Sequence, residues 1–435
     1  MKHTRLLVVF LFVLFLPLSW YKMYSDSSKE ESVYQSYLKN AREKAELQIL
    51  KEATQDYQAA LALHNSSEIQ LELAQMYYDN RRYDIYEALC NQTINDYPYE
   101  IDAYERLAQY YYDLSSYSDV LSIRETINKR ELKSTLINDL YQSIKYSYSY
   151  NGTYKVSELS NFHSGYARIR TQEGKIGYIT ESGQRAVNYI YDEGSIISNY
   201  GIAGITTSEG ESYIIDYFGD KVNADPQKRK ITYIGTINDP YFPVVLDNNY
   251  YVSDYSFNLS NTSYDYIGAF TSGRAAAKKG TEWFFIDGNG NRISDKTYED
   301  IILDEGGIAF CRSRSFVKIK DHYIMIDFDE NQIGTQVFEN AINFVQSNGP
   351  TSVKVNGKWG FINDTGDIVL EFQYEDARPF SRGLAGVKGA DGWNYIDESG
   401  NIVIPGPFQE VRDFSATGTS FVKQEDVWRM IRLYD

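Results

Sequence analysis

The spacing of apolar residues changes from a helical to a strand-like period near residue 150. Over 33–150, apolar positions recur every three or four residues, which is the period of an amphipathic helix. A turn sequence at 150–153 ends this pattern, and short runs of alternating apolar and polar residues follow. The pattern predicts an α-helical domain over 33–150 and an all-β domain over 154–435.

One aliphatic position recurs eight times in the β half, at spacings of 34 to 40 residues. In the clearest copies it follows a Trp by three positions and precedes a polar residue and a Gly-containing turn. Recurrence at a spacing of this length marks a modular repeat array. The eight aliphatic anchors are Ile179, Ile215, Val252, Ile286, Ile326, Ile362, Ile396 and Ile431.

Each repeat contains four short runs that read as strands. In one copy they are residues 384–388, 393–397, 402–404 and 408–414, separated by short turns. Four antiparallel strands per unit are typical of a propeller blade. The last unit ends after two strands, and a leftover strand at about 156–162 could complete it, which predicts a closed ring of about eight blades. The alternative is an open solenoid of β-hairpins, because 36 residues is short for a four-stranded blade.

The helical half has its own repeat of 34 residues. Ala74 and Tyr77 recur as Ala108 and Tyr111, and the pattern resembles the tetratricopeptide repeat. The resemblance implies helical hairpins with a concave peptide-binding face; the alternative is that the helices only space or brace the next domain. Arg81 and Ser115 stand where that family usually has a turn glycine.

The β repeat is similar to the WG repeat family, whose core is Lys-Trp-Gly-aromatic-Ile. The copy at 356–366 carries this core as Lys358, Trp359, Gly360, Phe361 and Ile362. The resemblance covers about 154–435. Three copies have lost the Trp of the motif and hold Ser212, Asn249 and Tyr323 in its position; we call these copies eroded. It implies a bacterial, often exported, recognition or scaffolding module and no catalytic activity.

The N-terminus is expected to direct export. Lys2 and Arg5 precede an apolar run over 6–18, which predicts a signal anchor or signal peptide over 1–24 and a solvated linker over 25–32. No small-x-small cleavage site follows, so we expect an uncleaved membrane anchor and an extracytoplasmic C-terminus. The alternative is cleavage and secretion.

Charge and composition exclude several classes of function. With 43 basic and 60 acidic residues, the net charge is −17, so nucleic acid is a poor partner. The four His residues lack metal-ligand spacing, and the Asp-rich segments at 287–291 and 327–331 lack the Gly and the final acid of a calcium loop. We expect no metal, no cofactor and no catalytic residues. Cys90 falls on the apolar side of a helical pattern, which predicts a buried thiol.

Four tryptophans are candidates for either packing or binding. Each stands three residues before an aliphatic anchor, which places it on the opposite sheet face. Such rings can pack between blades, or they can form an aromatic platform for a glycan or peptide. They are Trp283, Trp359, Trp393 and Trp428.

These observations predict a non-enzymatic, membrane-anchored binding scaffold outside the cytoplasm. We expect protein partners, with a cell-wall glycan as another candidate ligand. The alternative is a propeller-type carbohydrate-active enzyme or glycan-binding protein with carboxylates in a central well. The recurrent acids argue for a structural role, because they fall in turns: Asp216, Asp287, Asp327 and Asp397.

Overall fold

The computed structural model describes residues 28–345 and 349–434. They form two compact units, which separate in sequence between Lys145 and Tyr146. The expected signal segment at 1–24 lies outside the described residues. Among the described residues, no helix combines the length and apolarity that a membrane span requires.

The first unit contains seven helices within the described range. They are α1 (28–46), α2 (Leu50–Leu63), α3 (Ser67–Asp79), α4 (Tyr83–Asp96), α5 (Asp102–Asp113), α6 (Tyr117–Lys129) and α7 (Thr135–Ile144). Each of α2 to α6 packs against the helix that follows it. Residues 28–32, expected in the linker, belong to α1, where Glu31 lies 3.7 Å from His64, the residue that follows α2.

Small and aromatic residues at the repeat positions build the helical core. Ala74 and Ala108 are fully buried, and Cys90 is buried beside them, as the sequence predicted. Arg81 and Ser115 adopt φ of 58° and 56°, the left-handed conformation that a turn glycine adopts readily. The assignment to the tetratricopeptide family stays a prediction.

The second unit is an eight-bladed β-propeller, as the repeat predicted. After β1 (Tyr148–Tyr154), blade 1 contains β2 (Glu158–Leu159), β3 (Tyr166–Arg170), β4 (Ile176–Thr180) and β5 (Arg185–Tyr191). Blade 2 contains β6 (Glu193–Gly194), β7 (Ile202–Thr206), β8 (Ser212–Asp216) and β9 (Lys221–Ala224). Blade 3 contains β10 (Ile231–Ile234), β11 (Tyr241–Leu246) and β12 (Asn249–Asp254), and blade 4 contains β13 (Tyr266–Ile267), β14 (Arg274–Lys279) and β15 (Glu282–Asp287).

The remaining four blades follow the same order. Blade 5 contains β16 (Asp300–Ile301), β17 (Arg314–Ile319) and β18 (His322–Asp327), and blade 6 contains β19 (Asn340–Ala341), β20 (Thr351–Val355), β21 (Lys358–Ile362) and β22 (Ile368–Tyr374). Blade 7 contains β23 (Asp376–Ala377), β24 (Leu384–Gly389), β25 (Gly392–Asp397) and β26 (Ile402–Phe408). Blade 8 contains β27 (Glu410–Val411), β28 (Thr419–Gln424), β29 (Val427–Leu433) and β1. In blades 3 to 5, isolated bridges stand in for the outer strand.

The two ends of the propeller chain meet in blade 8. Strand β1 pairs antiparallel with β29, with Tyr154 opposite Trp428, so the ring is closed and the open-solenoid alternative is wrong. The closing strand is Tyr148–Tyr154 and not 156–162; the latter segment contributes β2, the innermost strand of blade 1. Asn151 and Gly152, which the sequence suggests as a turn, form a β-bulge within β1. The pattern of alternating apolar and polar residues did not predict this strand.

The third strand of each regular blade has two buried faces. Trp359 and Phe361 face blade 7, where they contact Ile396, whereas Ile362 packs against blade 5. Trp and anchor therefore lie on opposite sheet faces, as predicted. Each blade packs against both neighbours. A single blade could not bury its apolar faces alone, so neighbouring blades stabilise one another.

Antiparallel pairing sorts the connections between strands onto two ends of the ring. Loops after the innermost strands and turns after the third strands lie at one end, here called the loop end. Tight hairpins between the second and third strands lie at the other, here called the hairpin end.

Candidate functional site

A long loop in blade 5 distinguishes the loop end. It spans residues 302–313 between β16 and β17, whereas the equivalent loops in blades 1 to 4, 7 and 8 have six or seven residues. Asp304 holds its turn by accepting hydrogen bonds from the backbone of Gly306 (2.9 Å) and Ile308 (2.8 Å). Gly307 has a φ of 83°, which suits glycine. We call residues 302–313 the crossing loop.

The crossing loop reaches the opposite side of the ring. Glu305 Oε1 accepts a hydrogen bond from the Asn161 backbone at 2.7 Å and lies 2.6 Å from His163 Nε2. Both partners belong to blade 1, which faces blade 5 across an eight-bladed ring. The Gly307 carbonyl also accepts a hydrogen bond from Ala269 of blade 4 at 2.8 Å. The loop thus passes over the central axis.

The contact between Glu305 and His163 is an ion pair when the imidazole is protonated. Burial lowers the pKa of His163, but the hydrogen bond to Glu305 and nearby acids outweigh it and raise the pKa above its usual value. Burial raises the pKa of Glu305, yet His163 holds that pKa below its usual range. Among the described residues, the His163 ring makes no other side-chain hydrogen bond, so the pair serves as a latch for the crossing loop.

A second polar cluster joins blades 7, 8 and 1 beside the latch. Arg378 binds both carboxylate oxygens of Asp413, at 2.6 and 2.9 Å. Asn161 donates to Asp413 at 3.0 Å and accepts from the Asp413 backbone at 2.9 Å. Burial lowers the pKa of Arg378, but Asp413 and Glu305 more than compensate and raise it. These groups satisfy one another, which is the pattern of a structural clamp.

A cavity of about 120 Å³ lies between blades 3 and 4 on the inner side of the ring. Tyr233, Tyr250 and Tyr266 line it, with Gly306 and Gly307 of the crossing loop as another wall. Tyr250 and Tyr266 rings are 5.1 Å apart, and Trp283 lies 5.6 Å from Tyr266 on the far side. Burial raises the pKa of all three phenols. We call this the tyrosine cavity.

Exposed aromatic rings cluster at the loop end of blades 2 and 3. Tyr200 and Phe218 expose 60% and 67% of their surface, and Tyr217 and Tyr255 are also exposed. The Tyr217 and Phe218 rings are 4.2 Å apart. Tyr200 and Tyr255 border a largely apolar cleft of about 320 Å³. We call these four rings the aromatic patch; exposed apolar clusters of this kind mark interaction sites.

The helical unit has a groove of its own, of about 430 Å³. Helices α3, α4, α5 and α7 form it. Its apolar part includes Tyr78, Tyr110 and Leu136, and the Tyr78 ring lies 6.4 Å from that of Tyr110. Its polar lining residues are Gln75, Asp102, Glu105, Arg106, Gln109 and Asp113. We call this the helical groove.

The four tryptophans proposed as a platform take part in packing. Trp359, Trp393 and Trp428 expose only 6%, 9% and 3% of their surface, and Trp283 is half-buried between Tyr266 and Lys278. Arg412 stacks 4.3 Å above Trp428. These contacts support the packing alternative, and a ligand platform on the same rings stays a prediction.

The recurrent turn acids form local hydrogen bonds. Asp287 Oδ1 accepts from the backbone of Asn289 and Asn291, both at 2.9 Å, and Asp327 makes the same pair of bonds in blade 5. This is the turn chemistry expected of Asp at these positions. Within the described residues, no group of three His, Cys, Asp or Glu side chains has the geometry to hold a metal.

Comparison with known protein families identifies two of the β repeats. The WG containing repeat family matches residues 359–392 and 393–428, so these two copies are WG repeats, as the sequence indicated. A comparison with curated protein sequences gives no match to this chain.

Solved structures with a similar fold share little sequence. BamB from Moraxella catarrhalis is 12% identical, with a TM-score of 0.44, over 66% of this chain and 97% of that one. Hsv2p from Kluyveromyces lactis is 6% identical, with a TM-score of 0.38, over 56% and 93%. A eukaryotic initiation factor is 12% identical, with a TM-score of 0.42, over 61% and 78%.

Proposed function

We propose that this protein is a non-enzymatic binding scaffold whose helical groove holds an extended segment of a protein partner. The observation that carries the proposal is the groove itself. Its volume of about 430 Å³ can hold several side chains, and it combines aromatic walls with charged groups. Pockets that bind ligands are typically concave and largely apolar, with a few polar groups that fix orientation.

The excess of acidic residues in the groove favours a partner segment that carries basic side chains. Asp102, Glu105 and Asp113 line it, and Arg106 is the single cation among its lining residues. Arg106 donates to Gln75 at 2.8 Å, and Glu105 accepts from Ser134 at 2.6 Å. Lys or Arg side chains of a partner can pair with these acids while an apolar side chain contacts Tyr78 and Leu136. Such complementarity mainly sets specificity and the rate of association.

A binding experiment with charge variants tests this proposal. Residues 28–435 are immobilised and offered a peptide library that varies in Lys, Arg and aromatic content. We expect retention of basic peptides with an apolar residue, and a loss of about tenfold in affinity for the double variant Asp102→Asn, Asp113→Asn. Asp139→Asn, an exposed acid on α7 outside the groove lining, is the matched control. Equal retention by both variants would contradict the assignment.

We further propose that the protein acts outside the cytoplasm and is held at a membrane by its N-terminal segment. The basic residues Lys2 and Arg5 ahead of the apolar run at 6–18 support this orientation. Fractionation of bacteria that express the full chain, with and without residues 1–24, measures it. We expect the full chain in the membrane fraction and open to protease added outside. A cytoplasmic, protease-protected chain would refute the placement.

Binding of a cell-wall glycan is the second candidate, and the aromatic patch favours it. Exposed rings offer faces for the apolar side of a sugar. Amide groups lie close by: Asn199 accepts from Ser164 at 2.9 Å, and its backbone donates to Asn238 at 3.2 Å. Sedimentation with purified cell wall tests this. We expect co-sedimentation that Phe218→Ser weakens and that the control Ile402→Ser, an exposed residue of blade 7, leaves unchanged.

A further inference from the structure

We propose that the tyrosine cavity binds a small organic cation, a quaternary or methylated ammonium group. The proposal does not depend on the helical groove or the aromatic patch, because the cavity lies inside the ring. It rests on the shape of the cavity and on its lining.

The lining of the cavity matches an ammonium group and not an anion. Three phenol rings approach from blades 3 and 4, and the lining includes no Lys or Arg. The face of an aromatic ring carries a partial negative charge that attracts cations, and several rings together form a cage for a methylated ammonium. A volume of about 120 Å³ is of the size of one such head group.

The side-chain hydroxyl groups that line the cavity form no hydrogen bond with the described part of the protein. Within the described residues, the hydroxyls of Tyr233, Tyr250 and Tyr266 make no hydrogen bond, and Thr236, which is 2% exposed, leaves its hydroxyl without one. Half-buried phenols usually find an acceptor or donor. These free oxygens can contact the polarised methyl groups of a cation or hold the water around it.

The charged groups around the cavity on neighbouring elements are mixed. Asp304 of the crossing loop acts on Tyr266, and Glu193 of blade 2 acts on Tyr233. Arg168 of blade 1 is the opposing charge. Arg170 also binds Glu193 at 3.0 Å, so acidic and basic groups are present in similar number and the preference for a cation comes from the aromatic rings.

The crossing loop shapes one wall of the cavity. Gly306 and Gly307 line it, and a Cβ on Gly306 would lie 2.5 Å from Ile196 Cδ1. With no side chain at these two positions, the backbone of the crossing loop itself forms this wall. Tyr266 Oη lies 3.4 Å from the position of a Cβ on Gly307, so this phenol points toward the loop.

A titration with charged and neutral probes of one shape tests the proposal. Residues 28–435 are titrated with choline and with its uncharged isostere 3,3-dimethyl-1-butanol, and binding is followed by calorimetry. We expect choline to bind at least about tenfold more tightly than the alcohol, because only the cation gains from the rings. Equal affinity, or no heat with choline, would overturn the proposal.

Ring variants locate the binding and guard against misfolding. Tyr250→Phe keeps the ring and should stay within about threefold of the parent, whereas Tyr250→Leu should lose about tenfold for choline. A thermal melt confirms that both variants fold. If Tyr250→Leu folds and still binds choline at parental affinity, the cation lies elsewhere and the assignment is wrong.

A parallel titration with a trimethyllysine peptide distinguishes the source of the ammonium group. Binding of choline alone would assign the cavity to a free small molecule. Binding of both would show that the cavity also admits a modified side chain. Binding of an unmodified lysine peptide as tightly as the trimethylated one would contradict a cage for methylated ammonium.

Discussion

Blades 6 and 7 and blades 2 and 3 have the same fold but differ in the residue at the Trp position and in the exposure of their aromatic rings. In the regular blades 6 and 7, Trp359 and Trp393 are buried between sheets. In the eroded blades 2 and 3, Ser212 and Asn249 occupy the Trp position, and the four rings of the aromatic patch lie on the surface. The aromatic patch lies at the eroded blades, and the tyrosine cavity lies between eroded blade 3 and blade 4.

The comparison shows which part of the repeat the ring requires. The anchors Ile215 and Val252 of the eroded blades are as buried as Ile362 and Ile396. In blade 2, a hydrogen bond stands where the Trp would pack against the next blade: Ser212 Oγ donates to the Ile231 carbonyl of blade 3 at 2.7 Å. The anchor therefore maintains packing, while the Trp position can change.

The largest expected effect tests whether the eroded blades are as tightly packed as the regular ones. Phe361 of blade 6 and Ile214 of blade 2 occupy equivalent positions and are fully buried. We expect Phe361→Ala to lower the free energy of unfolding by about 3–5 kcal/mol and Ile214→Ala by about 2–5 kcal/mol, because each leaves a cavity. Urea titration measures both. A cost below about 1 kcal/mol for Ile214→Ala would mean that erosion has loosened blade 2.

The next effect concerns a buried ion pair in the eroded region. Asp225 accepts hydrogen bonds from Arg229 Nε and Nη2 at 2.8 and 2.9 Å and from the Arg229 backbone at 2.8 Å. Burial raises the pKa of Asp225, but the bonds from Arg229 outweigh it and hold the pKa below its usual range. We expect Asp225→Asn to cost about 2–3 kcal/mol at pH 7.

The pH dependence of that cost follows from the direction of the shift. A lowered pKa stabilises the folded protein at every pH above the ordinary Asp value near about 4, and this contribution is lost as the pH falls through the folded pKa. Melting temperatures of the parent and Asp225→Asn should therefore differ by a constant amount from pH 7 to about 5 and converge in more acidic buffer. A difference that grows on acidification would contradict the pairing.

The repeat made much of the fold predictable, because one buried aliphatic every 34 to 40 residues fixes the number of blades. The crossing loop left a trace as well: the longest spacing, from Ile286 to Ile326, contains it. Its path over the axis was not predictable, since Glu305 meets His163 only once the ring closes. The tyrosine cavity needed the structure too, because Tyr233, Tyr250 and Tyr266 come from separate strands.

A smaller effect should appear when the hairpin turns of a regular and an eroded blade are exchanged. The turn of blade 6 is Asn356-Gly357 and that of blade 3 is Asp247-Asn248; all four residues have positive φ. Glycine adopts this conformation without strain, so we expect Asn248→Gly to stabilise the ring and Gly357→Asn to destabilise it, each by about 0.5 kcal/mol. Thermal melts measure the pair, and shifts of the same sign would show that factors beyond the turn dominate.

The smallest effect on stability is expected at the aromatic patch, the candidate surface for glycan binding. Phe218 and Tyr255 expose their rings, so Phe218→Ser and Tyr255→Ser should change the free energy of unfolding by less than about 0.5 kcal/mol. Ile402→Ser, at an exposed position of regular blade 7, should be equally neutral and serves as the control. A loss above about 1 kcal/mol at Phe218 or Tyr255 would show that these rings pack in solution. Neutral stability with weakened binding of a wall polymer or protein, absent from Ile402→Ser, would assign recognition to the eroded blades.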